Sequence, residues 1–159
     1  MNPPDVKLAR ASVEDAEEVL SMQRLAFREL LEKYQDYDTS PACQTLERLR
    51  SKFQLPGLSF YFILCNGEKA GAICVVDTGE PGVLKRVSPL FTLPGYRRRG
   101  IARAAMLEAE RLHGAHGWSL DTIAEEPGNC RLYEGMGYRR IGEPRKVNER
   151  MTLVDYRKD

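Results

Sequence analysis

The sequence predicts an α/β chain of the α+β kind, a mostly antiparallel sheet with helices laid against it. Three observations lead there. Apolar residues recur at helical spacing from Val13 to Leu30 and again after Ile101. Between those stretches the period changes, in runs rich in aromatic and β-branched residues such as "LSFYFILC". Those runs are separated by short turn signals, chiefly Asn66-Gly67, which call for hairpins rather than helical crossovers.

Taken in order, "DVKLARAS" reads as a short strand. Ser12 then precedes "VEDAEEVL", where Glu14 and Asp15 crowd the first turn of a helix. Its apolar face is Val13, Ala16, Val19, Leu20, Met22, Leu25, Ala26 and Leu30, and it runs to about Lys33. "YQDYDTSP" breaks the pattern, and Ser40-Pro41 starts a second helix, "ACQTLERLRSKF". "LSFYFILC" and "KAGAICVVD" form the hairpin around Asn66-Gly67, and "TGEPG" turns into a third strand, "VLKRVSPLFTLP", with Pro89 marking an irregularity or bulge. A helix follows from Ile101 to His113, with Ala105, Met106, Ala109 and Leu112 as its stripe and Gly114 and Gly117 at its end. "WSLDTIA" is a strand, "EEPGNCRLYEGM" a short helix with proline near its start, and "YRRIGE" and "RMTLVDYR" two closing strands. The order is β-α-α-β-β-β-α-β-α-β-β.

The 159 residues suit one domain, 1–159, with no repeat, linker or low-complexity tract. The 24 basic and 23 acidic side chains leave a net charge of +1, which argues against a dedicated nucleic-acid binder. No apolar run is long enough to span a membrane, and "MNPPDVKLARASVEDAEE" lacks the apolar core of a secretory signal. Cys43, Cys65, Cys74 and Cys130 form no C-x-x-C pair, so reduced thiols and a cytoplasmic location are expected.

The most informative stretch is "LPGYRRRGIARAAM", residues 93–106: a strand end, a glycine-bearing turn with three consecutive arginines, and a helix start. These are the parts of an anion site, because free N–H groups at a helix start point outward and the helix dipole favours negative charge. Gly100 lets a phosphate approach the backbone and Ala102 is nearly as small, while Arg97, Arg98 and Arg99 add charged donors. Gly95 and Gly100 give G-x-x-x-x-G, but Ile101-Ala102 stands where a P-loop needs lysine and a hydroxyl, and the dinucleotide fingerprint G-x-G-x-x-G is absent.

Arg97-x-x-Gly100-x-Ala102, placed after Thr92-Leu93-Pro94, resembles the R/Q-x-x-G-x-G/A signature of the GNAT superfamily of acyl-CoA-dependent N-acyltransferases. "NCRLYEGMGY", Asn129 to Tyr138, resembles that family's N…LYEKxGF segment, and the element order is similar over nearly the whole chain. The resemblance implies the GNAT fold, with a mixed, mostly antiparallel central sheet of about six to seven strands flanked by about four helices. It implies acetyl-CoA as co-substrate and no metal. The backbone amides of Arg98, Arg99, Gly100, Ile101 and Ala102 would hold the coenzyme pyrophosphate next to Arg97. The strand around Phe91, Thr92 and Leu93 would pair with pantetheine amides and leave an N–H facing the thioester oxygen. Aminolysis of a thioester passes through an oxyanion, so such an N–H lowers the barrier, and two substrates in one cleft gain proximity.

By the same resemblance Tyr133 is the general acid that protonates the leaving thiolate; a tyrosine merely packed on a short helix is the plainer alternative. Asn129, one helical turn earlier, either holds the pantetheine arm or a water, or caps the helix. Many relatives carry a glutamate on the strand before the proline, but "VLKRVSPLFTLP" has no acid, so the base must be water or a carboxylate from the first helices; Ser88 is a poor base. Glu29, Glu32, Tyr34, Asp36, Tyr37 and Asp38 at the end of the first helix would suit a cationic amine, or be a solvated helix end. Asp121 could face the cleft or be a hydrogen-bonded sheet residue. His113 and His116 lack a third metal ligand and fit a helix C-terminus, and Met22 and Met106 fall on apolar faces.

Three functions compete: an N-acetyltransferase acting on a primary amine of a small molecule or peptide, a non-catalytic acyl-CoA-binding module, and a nucleic-acid binder using Arg97–Arg99 with Arg103. Near-neutral charge and the lack of aromatic interleaving disfavour the last. No nucleic-acid or membrane partner is expected. A homodimer through the closing strands is an implication of the resemblance alone.

Overall fold

The first helix begins where the side chain of Asp15 takes the backbone N–H of Ser12 at 2.9 Å, satisfying a donor that helix geometry leaves free. From that start the computed structural model, which describes residues 5–159, alternates as the hydrophobic periods require; the part of the N-terminal reading that falls on residues 1–4 lies outside. The elements are β1 (Val6–Arg10), α1 (Ala16–Tyr34), α2 (Leu46–Phe53), β2 (Leu58–Cys65), β3 (Glu68–Val76), β4 (Lys85–Thr92), α3 (Ile101–His113), β5 (Trp118–Ile123), α4 (Pro127–Gly135), β6 (Arg139–Lys146) and β7 (Thr152–Lys158). This is the expected order.

The strands form one seven-stranded sheet, β1-β2-β3-β4-β5-β7-β6, antiparallel throughout except between β4 and β5. Period-two alternation gives it two apolar faces. Ala72 and Cys74 of β3 pack with Val19, Leu20 and Ala26 of α1 and Leu49 of α2. Ile73 and Val75 of the same strand pack with Ala105, Met106 and Ala109 of α3 and Tyr133 of α4. The β2–β3 turn places Asn66 and Gly67 both at left-handed φ (52° and 85°), as a tight hairpin demands.

Several local expectations need correction. The second helix does not run from Ser40-Pro41. Pro41–Cys43 makes a separate 3-10 turn, Gln44 is extended, and α2 starts after Thr45, whose hydroxyl accepts the Arg48 N–H at 3.2 Å. Val13, Leu25 and Leu112 are exposed, at 40%, 44% and 46%. In α1 the buried slot goes instead to Gln23, whose amide donates to the Pro41 carbonyl (2.8 Å) and to Gln44 (2.9 Å) where the connector crosses the helix. Met22 and Met106 are core residues. His113 is held by more than the helix end: its ring nitrogens meet Asp77 at 3.0 Å and the Tyr61 hydroxyl at 2.8 Å.

All four cysteines are free, and only Cys43 is exposed. Among the described residues no helix is long and apolar enough to cross a membrane.

Candidate active site

The site is built where the sheet comes apart. β4 and β5 pair only at Lys85–Trp118 and Arg86–Ser119. Beyond that, the register of β4 on β3 jumps from Val75↔Val87 to Ile73↔Leu90, so the irregularity or bulge expected at Pro89 is a bulge at Ser88-Pro89. The bulge sets which backbone groups look into the gap. Leu93 N–H bonds to the Ala70 carbonyl at 2.7 Å, so by strand alternation Phe91 also faces β3, while Leu90 and Thr92 turn their N–H and C=O groups toward the opening. Gly71 allows the closeness of β3 and β4, since a Cβ there would stand 2.0 Å from the Phe91 carbonyl oxygen.

After β4 comes a 3-10 turn, Pro94–Tyr96, and then Gly100 as the residue before α3. Gly100 has φ +75°, and a Cβ on it would meet no protein atom within 4 Å. No side chain caps this helix start. The first intrahelical bond is Ala104 N–H to the Gly100 carbonyl (3.1 Å), which leaves the N–H groups of Ile101, Ala102 and Arg103 without helical partners. The residues present therefore fit a pyrophosphate: three free donors, a positive dipole end and open space at a glycine.

The arginines divide. Arg97 points back at α1, donating to the Ala26 carbonyl and to Glu29 (3.3 Å), and so fixes the turn against the helix. Arg98, itself at φ +62°, lines the opening with Arg103. Arg99 lies over the Tyr96 ring at 5.6 Å and outside the lining.

Two cavities meet at this gap. One, of about 490 Å³, is lined by Phe91, Thr92, Arg97, Arg98, Gly100, Ile101, Ala102, Asn129 and Tyr133 among others. Leu93 and Arg99, also in the expected set, are not brought to it. The Ile101 side chain is 1% exposed, packed in the core, so only its backbone can serve a ligand. Phe91 is likewise a core residue, edge-on to Phe27 at 5.6 Å. The other cavity, of about 330 Å³, lies between the end of α1, its following loop, β4 and β5, and includes Tyr34, Asp36, Ser88 and Asp121. Phe27, Leu30, Leu90, Asn129 and Tyr133 line both.

Tyr133 is buried on α4, packed edge-on to Tyr138 at 6.0 Å and tilted against Tyr156 at 6.2 Å. Burial pushes its phenol well above the ordinary tyrosine value, and the charges of Cys130 and Asp121 add to this. It therefore stays protonated at neutral pH, the state a proton donor needs. Asn129 does not cap α4; Glu126 holds that position and Asn129 sits in the first turn, exposed to both cavities.

β4 carries no acid, and the carboxylates near the cavities are each engaged. Asp36 is buried and bonded to the Thr39 hydroxyl and N–H. Asp121 lines the cavity and is also a bonded sheet residue, accepting from Arg86 and Arg145 at 3.1 Å each. Glu29 is tied to Arg97. Glu126 accepts from Lys33 at 2.7 Å and from the buried Tyr34 hydroxyl. Burial pulls the Glu126 carboxyl up, but the hydrogen bonds of Lys33 and Tyr34, with the lysine's charge, outweigh it and hold the group below the usual range. Glu32, Tyr37 and Asp38 lie outside both linings.

Leu90 and Glu126 also line the larger cavity, and the sequence reading did not single them out. The signal for Leu90 was the bulge, which shifts backbone parity by one. The signal for Glu126 was its place just before Pro127, the start of a helix.

Residues 19–138 match the family model described as Acetyltransferase (GNAT) family. No curated protein sequence matches the chain. Its fold is similar to that of spermidine N-acetyltransferase from Vibrio cholerae, solved with CoA and spermine (TM-score 0.74, 13% identity, 95% of this chain and 93% of that one). It is also similar to the ribosomal-protein-S18-alanine N-acetyltransferase of Escherichia coli (TM-score 0.71, 14% identity, 96% and 92%). An acetyltransferase from Thermus thermophilus gives TM-score 0.69 at 16% identity over 98% of both chains. With the phosphate-ready helix start, the opened strand and a family model covering most of its length, the chain belongs to the GNAT family of acetyltransferases.

Proposed function

We propose that this enzyme moves the acetyl group of acetyl-CoA to a primary amine of a small molecule or peptide, by direct attack in a ternary complex, with Tyr133 as general acid. The observation that carries this reading is the position of Tyr133 in the wall common to both cavities. The larger cavity, with the free amides of α3 and Arg98, suits the coenzyme; Leu90 and Thr92 offer backbone groups to its pantetheine arm, one N–H of which would face the thioester oxygen. The smaller cavity suits the acceptor, whose amine would then meet the thioester beside Tyr133. The folds it resembles include enzymes named for a polyamine and for a protein alanine, both amine acceptors.

One domain, 1–159, holds both sites in this reading, and free thiols, three of them buried, suit the cytoplasm. A homodimer through the closing strands is disfavoured, because β6, one of the two edges of the sheet, carries Arg139, Arg140, Arg145, Lys146 and Pro144.

Free-thiol release from acetyl-CoA across a panel of amines tests the reading. Tyr133→Phe should lower kcat by about 10²–10⁴-fold, the usual reach of a general acid, while keeping stabilisation by CoA against heat. CoA stabilisation without turnover on any amine would support a non-catalytic binding module instead.

A further inference from the structure

A primary amine arrives as an ammonium, and it must lose a proton before it can attack. β4 offers no carboxylate for this, and Asp36, Asp121 and Glu29 are engaged by Thr39, by two arginines and by Arg97. One acid differs. Glu126 lines the coenzyme cavity, while Tyr34, whose hydroxyl donates to Glu126, lines the acceptor cavity. The hydrogen bond between them thus joins the two cavities beside Asn129, which lines both. Glu126 is about a quarter exposed and Lys33, its other partner, is open to water.

We propose that Tyr34 and Glu126 form the proton exit of the acceptor site. This rests on the acetyltransferase reading. In the step, the ammonium gives a proton to the Tyr34 oxygen as the Tyr34 hydroxyl proton passes to the Glu126 carboxylate. The amine becomes neutral with its lone pair free, Tyr34 is unchanged, and Glu126 is protonated until it releases the proton to water.

The charged and titratable groups around the pair are Lys33 from α1 and Glu125 from the loop before α4; the Asn148 amide holds the Tyr34 carbonyl at 2.9 Å. Lys33 keeps Glu126 ionised and ready to accept; the carboxylate is a conduit to solvent and not a store for the proton.

The test compares kcat for thiol release in wild type, Tyr34→Phe and Glu126→Gln between pH 6.5 and 9.5, with an alkylamine acceptor. Near pH 7 each variant should lose about 10²-fold or more, the lower end of what general acid–base groups typically contribute. That loss should shrink as pH rises and the bound amine deprotonates unaided, with log kcat climbing more steeply than in wild type. An acceptor α-amine, with an ordinary pKa near about 8, should show a smaller loss at the same pH than an alkylamine near about 10. Glu126→Gln, partly exposed and close in shape, keeps the test valid if Tyr34→Phe folds poorly. Equal losses at all pH values, a parallel rise in KM for acetyl-CoA, or full activity in both variants would overturn the relay and leave the acetyltransferase reading standing. CoA binding by wild type with no turnover would overturn that reading and the relay together.

Discussion

Gly100 and Arg98 both line the larger cavity, the one proposed for the coenzyme, yet they would contribute in different ways. Gly100 sits at φ +75° with empty space where a Cβ would go, and that space is where a phosphate would lie. Valine there is strained by about 1–3 kcal/mol and fills the cradle as well. Gly100→Val is therefore expected to weaken CoA binding tenfold or more, by roughly the 1.4 kcal/mol that a decade requires. Arg98→Ala removes one exposed charge and should cost less, about 1 kcal/mol or under. Titration calorimetry with CoA decides; equal affinities in wild type and Gly100→Val would overturn the cradle. At this scale the spacing R-x-x-G-x-A was legible because glycine and alanine act through the absence of atoms. The direction of a long side chain was not. Arg97 is committed by a carbonyl 71 residues away, on a helix whose place against the turn no local pattern reveals.

Strands and their hairpin could be read from period and from Asn66-Gly67. The start of α2 could not, because Ser40 and Thr45 are both good caps and only the extended Gln44 between them decides. Nor could the parity of β4, since a bulge marked by a proline does not say on which side it leaves the next amide. The approach of β3 to β4 gives that parity its use, and Gly71 controls the approach. Gly71→Ala would place a Cβ against the Phe91 carbonyl and force the strands apart. Over-packing of this kind costs about 1–3 kcal/mol. A denaturant midpoint should fall accordingly, and CoA affinity should fall with it because Leu90 and Thr92 move. Lost stability at unchanged affinity would separate the two strands' packing from the site.

Across the whole molecule, three tyrosines join α4 to the closing strands: Tyr133, Tyr138 and Tyr156, all buried. Burial is the first cause that pushes each of them up, Tyr156 to about 12, helped there by its bond to Glu134. Because the folded state favours the protonated phenol, their contribution is intact below the ordinary tyrosine pKa of about 10 and is lost as pH climbs toward 12. The thermal midpoint should thus drop above pH 10. Among the described residues the Tyr138 hydroxyl is buried with no hydrogen-bond partner. Tyr138→Phe should accordingly gain up to about 1 kcal/mol at neutral pH and make the alkaline drop shallower. An unchanged alkaline profile in that variant would contradict the assignment. The seven strands and four helices were readable in order, but the split between β4 and β5 was not, for it depends on where two strands stop pairing and not on what either strand is made of.

That split leaves β1 to β4 joined to β5, β7 and β6 by only two paired positions in the sheet itself. A ligand bonded to the free backbone of Leu90 and Thr92 becomes a temporary stitch in that seam. At a hundred times its dissociation constant such a stitch is worth about 2.7 kcal/mol to the folded chain. On the proposed reading, the chain's resistance to unfolding would therefore follow the supply of the coenzyme seated in its seam.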